Sequence, residues 1–273
     1  ALGICHYHKE DYEQAIYFFR QALSLDKKYQ TLTFRAARVV FNVGNCYQGM
    51  EDHDQAIYYY QEALELVESY FGKEHADTGL MLNSMGRSYD AKGEKKHAVR
   101  YFEQALSIAR KNYGTVHPHI AMFLQNLASF GIIEQEQAMA YLKEALWISE
   151  QLFGAENPRT GLVVMHMGMH YSQIGEYDQA IACQHKAIAI WAKHPDFQSS
   201  YIVGCYQNIG HYYHEQEQYL KSIEAFQKAL TVLISSFKPN DIHEIPSIKK
   251  GYKKGKELGY ILLYKAKAWQ THY

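Results

Sequence analysis

The chain has 273 residues, 28 Lys+Arg against 29 Asp+Glu, a formal charge of −1 and a pI near 7. That balance argues against a general nucleic-acid or membrane-surface binder, since both need a strongly basic face, and 47% hydrophobic residues are too many for a disordered chain. No run of 18 apolar residues offers a transmembrane segment, while 24 tyrosines form an excess that needs a reason.

In chain order the sequence resolves into helix pairs marked by small residues. The first fits Gly3, Ala15 and Ala22, the second Gly44, Ala56 and Ala63, and the third Gly86, Ala98 and Ala105. A fourth reads Ala128, Ala138 and Ala145, with two residues deleted between its first two marks. The fifth is Gly168, Ala180 and Ala187, and the sixth Gly210, Ser222 and Ala229. Three residues after four of the glycines stands a tyrosine: Tyr47, Tyr89, Tyr171 and Tyr213. With Tyr12, Tyr17, Tyr60, Tyr101 and Tyr177 on or at the start of second helices, these tyrosines read as packing at repeated places, with the hydroxyl reaching the solvent edge. Aromatics follow the second mark, as in Ala56-x-x-x-Tyr60 and Ala98-x-x-x-Phe102. Small residues let two antiparallel helices cross closely, and large ones at i+3 and i+4 fill the space beside the crossing. Turns such as Lys92-Gly93-Glu94 separate the two helices of a pair. No strand signal accompanies them. The chain begins within the first pair, so it is expected to be a fragment or a processed piece.

Cys5, Cys46, Cys183 and Cys205 lie far apart, with no Cys-x-x-Cys spacing. They are expected to be reduced, buried thiols of a cytoplasmic protein.

The pattern Gly-x-x-Tyr, then Ala, an aromatic and Ala resembles the tetratricopeptide repeat, stretched here from 34 to about 42 residues. The junctions sharpen this. Phe71-Gly72-x-x-His75, Tyr113-Gly114-x-x-His117-Pro118 and Phe153-Gly154-x-x-Asn157-Pro158 precede helices such as Leu82-Asn83-Ser84-Met85-Gly86. These are similar to the 42-residue repeats of kinesin light chains, over about residues 70–160. Glycine ends one helix at C′ and proline starts the next at N1. The resemblance implies an all-α, right-handed solenoid of about six helix-turn-helix hairpins over residues 1–244, the first truncated. A basic C-terminal helix over 245–273 would cap it.

It also implies a peptide-binding groove on the concave side, lined by first helices. Carried over position by position, the groove takes Arg38, Phe41, Asn45 and Gln48 from the second repeat, with Asn83, Arg87 and Asp90 from the third. Gln125 comes from the fourth, Met165 and Met169 from the fifth, and Gln207 and His211 from the sixth. Side-chain amides both donate to and accept from an extended backbone, and the methionines suit an apolar anchor. Asn42, Asn126 and Asn208, one position along, serve either the groove or hydrogen bonds between repeats. Two arginines do not make the basic cluster that clamps an acidic peptide end.

Chemistry has little foothold. His166-x-x-x-His170 and His211-x-x-His214 lack the Glu of a His-Glu-x-x-His zinc site and occupy different repeat positions, so they read as groove or core histidines. No phosphate loop or nucleophile elbow occurs. The expectation is no catalytic residue, no metal and no cofactor. Residues 249–273 carry seven lysines and one glutamate, net +6, which leaves −7 for residues 1–248. That segment is either a solvating cap or a basic surface for an acidic partner or lipid.

The sequence thus points to a non-catalytic scaffold, adaptor or sensor module of a larger protein, binding a protein or peptide segment. The alternatives are a peptide-responsive regulator, or the accessory part of an enzyme or nucleotide-hydrolysing protein whose catalytic domain lies elsewhere.

Overall fold

The computed structural model describes residues 2–28, 34–129, 133–194, 199–234 and 255–272. Among them every regular element is an α-helix. These are α1 (Leu2–His8), α2 (Tyr12–Lys28), α3 (Phe34–Gly49), α4 (His53–Phe71), α5 (Ala76–Ala91), α6 (Lys95–Tyr113) and α7 (Pro118–Ala128). They continue with α8 (Gln135–Phe153), α9 (Pro158–Gln173), α10 (Tyr177–Ala192), α11 (Ser199–Glu215), α12 (Tyr219–Leu233) and α13 (Gly255–His272). Their contacts gather into two compact units, Ala1–Glu134 and Gln135–Tyr273. Within the first, each helix from α1 to α7 packs on the next; within the second, each from α8 to α13 does so. The chain is all-α, built of tandem tetratricopeptide-type hairpins. The division falls between α7 and α8, in the repeat that lacks the glycine and is two residues short.

The spacing of small residues becomes a packing rule. Ala15, Ala56, Ala63, Ala98, Ala105, Ala180, Ala187 and Ala229 have no exposed surface. Sixteen residues after the first-helix glycine, an aromatic ring lies against it. A Cβ on Gly44 would stand 2.7 Å from the Tyr60 ring, on Gly86 2.9 Å from Phe102, and on Gly210 2.8 Å from Phe226. Glycine is needed there for close approach, because the ring fills the volume a side chain would take. The fifth repeat departs: Gln184, fully buried, faces Gly168 and donates to the Met165 carbonyl at 3.3 Å.

A second ring pairing uses the position three residues after the glycine. His6 stacks on Phe18 (5.2 Å, 26°), Tyr47 on Tyr59 (5.3 Å, 5°) and Tyr89 on Tyr101 (5.3 Å, 11°). Arg20 donates to the hydroxyls of both Tyr47 and Tyr59, at 3.3 and 3.2 Å, tying the first repeat to the second.

The junction motifs are capping devices. Gly72, Gly114 and Gly154 have φ of 84°, 75° and 87°, and their amides close onto Glu68, Arg110 and Glu150. Positive φ is the region where a Cβ is disfavoured, so glycine stops the helix there. The histidine or asparagine three residues later is the next N-cap. Nδ1 of His75 accepts from the Asp77 amide, Nδ1 of His117 from His119, and Oδ1 of Asn157 from Arg159. The motif's aromatic then stacks on the capping ring, Phe71 on His75 (4.6 Å) and Tyr113 on His117 (3.7 Å). Long side chains clasp successive junctions: Lys111 pairs with Glu74, and Lys193 with Glu156 at 2.6 Å.

Cys46 and Cys205 are buried free thiols, pushed by burial up to about 11 and about 12. Cys183 is only partly buried, which corrects the expectation for that residue; the Cys5 side chain lies outside the described set. In α13, Ile261 and Ala268 are buried against α12. Lys265 is buried too and donates to Gln227 Oε1. One lysine of the basic segment is thus internal, and Lys249–Lys254 lie outside the described residues.

Candidate functional site

In the first unit the candidate face is built on α3 and α5, with α7 beside them. Arg38, Phe41, Asn45 and Gln48 recur at three- and four-residue steps, which line up on one side of α3. The same spacing holds for Asn83, Arg87 and Asp90 on α5. Tyr60, wholly buried beneath α3, aims its hydroxyl at both amides of that helix, 2.8 Å from Asn45 Oδ1 and 3.0 Å from Gln48 Oε1. Burial pushes the Tyr60 phenol well above its ordinary value, so it stays a protonated donor. Both amides are thereby held with their carbonyl oxygens turned toward Tyr60.

Bonds between first helices hold the face together. Ser88 Oγ donates to Gln48 Oε1 at 3.3 Å, and Asn126 Nδ2 donates to Asn83 Oδ1 at 2.7 Å. The second bond gives Asn126 the inter-repeat role that was one of its two readings. It also places Asn83, expected to line the groove, inside the packing at 4% exposure. Gln125 is half-buried and donates to the Ala121 carbonyl of its own helix. Arg38, Arg87 and Asp90 are exposed, and Phe41 packs on the Tyr60 ring at 5.3 Å. The candidate face is therefore charged at its outer edge, with half-buried amides and one phenyl ring behind.

The second unit is different in kind. Met165 packs partly into the cluster around Trp191, and Met169 is 41% exposed. Gln207 is half-buried on α11. His211 lies edge-on to Phe226 (5.3 Å) and Tyr264 (4.2 Å), so α13 flanks it. Burial, with His214 and Lys267 nearby, lowers its pKa. His170 is 4% exposed with no partner on either ring nitrogen, and His166 is half-buried, with its Nδ1 buried and unpartnered and its pKa lowered by burial. Both are core histidines. Among the described residues, no three His, Cys, Asp or Glu side chains come together as a metal would require. No described helix is long and apolar enough to cross a membrane.

The residues missed from sequence are Tyr60 and Ser88, which orient the amides. The signal for Tyr60 was its place sixteen residues after Gly44, read there as packing alone.

Comparison with known proteins agrees with this architecture. Tetratricopeptide repeat models match residues 35–111, 162–235 and 1–29. BtubC (BKLC) from P. vanneervenii superposes with a TM-score of 0.67 at 19% identity, over 89% of this chain and 96% of that one. A kinesin light chain of nearly identical TPR-like repeats from Podosopora anserina gives 0.60 at 17%, over 76% and 99%. A Rap protein complexed with Competence and Sporulation Factor gives 0.60 at 19%, over 80% and 63%. In sequence, a clustered mitochondria protein homolog of Candida albicans is 28% identical over 96 residues, 35% of this chain and 7% of that protein. The repeat matches, the hairpin packing and the capped 42-residue junctions agree, and the chain belongs to the tetratricopeptide repeat family.

Proposed function

We propose that the chain is a non-catalytic protein-interaction scaffold, an adaptor or the sensing module of a larger protein, that holds an extended peptide segment on its first-helix faces. The observation that carries this is the α3–α5 face: Tyr60 and Ser88 hold the Asn45 and Gln48 amides in place, and Arg38, Arg87 and Asp90 stand exposed around them. Preorganised amides cost little ordering on binding, and charged groups at the edge steer the partner. On the second unit, Met165 and Met169 form an apolar surface that would by itself take an apolar side chain.

The test is capture of partners from an extract of the source cells, read by mass spectrometry. Arg38→Ala with Arg87→Ala should remove the captured partner, with at least tenfold lower recovery, while Lys253→Ala leaves recovery unchanged. Equal loss from both variants would overturn the assignment. Asn83 is left intact because its bond to Asn126 supports the packing.

A second reading, a peptide-responsive regulator, is favoured by the likeness in fold to the Rap protein, whose structure is a complex with Competence and Sporulation Factor.

A further inference from the structure

The stacked ring pairs of the first three repeats have no equivalent in the sixth. There Tyr213 stands where Tyr47 and Tyr89 stand, but the position of Phe18, Tyr59 and Tyr101 is occupied by Ala225, 4% exposed. A cavity of about 250 Å³ opens at this point, between α10 and α12 over α11, with Tyr206, Tyr213 and Ala225 in its wall. It is half open to solvent, with the exposed Lys221, Glu224 and Lys228 at its rim, and its volume has room for one ring with a small substituent. The volume is below the roughly 300–1,000 Å³ of sites that enclose a whole drug-sized molecule.

The rim supplies charge. Lys221, Glu224, Ala225 and Lys228 recur at i, i+3, i+4 and i+7, so they share one face of α12. The Lys221 ammonium stands 5.4 Å from the centre of the Tyr213 ring and donates to Gln218 at 2.7 Å; Lys228 stands 6.0 Å from Tyr206. His185, also in the wall, has its pKa lowered by burial and by Lys228, which leaves it uncharged at neutral pH. Two ammonium groups against the one carboxylate of Glu224 leave a single positive charge for a ligand to neutralise.

We infer that this pocket is a binding site for a small aromatic carboxylate, its ring replacing the Lys221 ammonium on the face of Tyr213, where repeats two and three place their own tyrosine, and its carboxylate held by the displaced Lys221 and by Lys228. The source is either a free aromatic acid or the C-terminal aromatic residue of a partner chain. This site is separate from the first-helix face proposed above and stands or falls without it.

The test is calorimetric titration of the whole chain with phenylacetate, cyclohexylacetate and acetate. Phenylacetate should bind, cyclohexylacetate several-fold more weakly because ring stacking is lost, and acetate at least tenfold more weakly. Ala225→Tyr should abolish binding by placing the chain's own ring on Tyr213. Lys221→Gln with Lys228→Gln, a surface change, should weaken binding at least tenfold. A peptide ending in phenylalanine with a free carboxylate identifies the source: tighter binding than phenylacetate assigns a partner chain, and equal or weaker binding a free acid. Failure of phenylacetate to bind, equal binding of acetate, or unchanged binding to Ala225→Tyr would each overturn the inference.

Discussion

The two units use one repeat grammar and differ in how fully their interiors are satisfied. In the first, signature tyrosines are stacked on a second ring, and its polar side chains answer one another: Tyr60 with Asn45 and Gln48, Ser88 with Gln48, Asn126 with Asn83, Arg20 with Tyr47 and Tyr59. In the second, Ala225 leaves Tyr213 without a stacked ring, and among the described residues five buried atoms, on His166, His170, Gln184 and Gln227, have no partner, against three in the first, on His53, Thr78 and His119. The difference teaches that a repeat register fixes where helices cross but leaves the chemistry between crossings open. Buried polar groups without partners cost stability, so the second unit is expected to be the weaker and the more adaptable.

The most severe way to break this comparison is to remove the ring at the crossing. Phe102→Ala and Phe226→Ala empty fully buried positions and should each cost about 3–5 kcal/mol in chemical denaturation. The shared grammar predicts similar losses in the two units. At the equivalent position of the fifth repeat, Gln184→Leu should instead raise stability by about 1 kcal/mol, because an unpartnered amide oxygen is removed. A loss there would show that the bond from Gln184 to the Met165 carbonyl outweighs the cost of its unpartnered oxygen.

A milder change would convert one unit toward the other. Tyr101→Ala deletes the ring stacked on Tyr89 and should cost about 1–2 kcal/mol, the stacking contribution plus part of the buried area. It should also open an aromatic-walled cavity in the first unit. A stability change within error would mean that the stack is decorative, and with it the significance of Ala225.

Acid gives the smallest and most graded effect. Burial lowers the pKa of His117 and His119 in the first unit and of His166, His185 and His211 in the second. The folded state favours each neutral ring, so this stability is present in full above the unfolded histidine pKa of about 6.5. It is lost as pH falls below that value toward the lowered folded ones. Hydrogen exchange at pH 7.5 and 5.5 should show both units loosening in acid, the second more than the first. His166→Leu should reduce that acid sensitivity; the same sensitivity in the variant would exclude His166 as its source.

Much of this was legible in the sequence. The glycine-to-aromatic spacing of Gly44–Tyr60 and Gly86–Phe102 exposed the crossings, and Gly72, Gly114 and Gly154 marked the helix stops. The capping use of His75 and His117 was not legible, because the motif shows a residue type while the hydrogen bond depends on χ angles at a helix entrance. Asn83 illustrates the harder limit. Its repeat position pointed outward to a ligand, yet an amide 43 residues later reaches it first.

By itself, then, the sequence determined the helical hairpins, their 42-residue period, the glycine stops at their junctions and the family. Each of these follows from local periodicity and from small residues set where neighbouring helices must cross. The tertiary structure decided which amides are spoken for, which histidine nitrogens are buried without partners, where the chain divides into two units, and that a pocket lies beside Ala225. Those outcomes depend on what lies across an interface some 40 residues away, and a side chain's partners there are set by packing that no local pattern encodes.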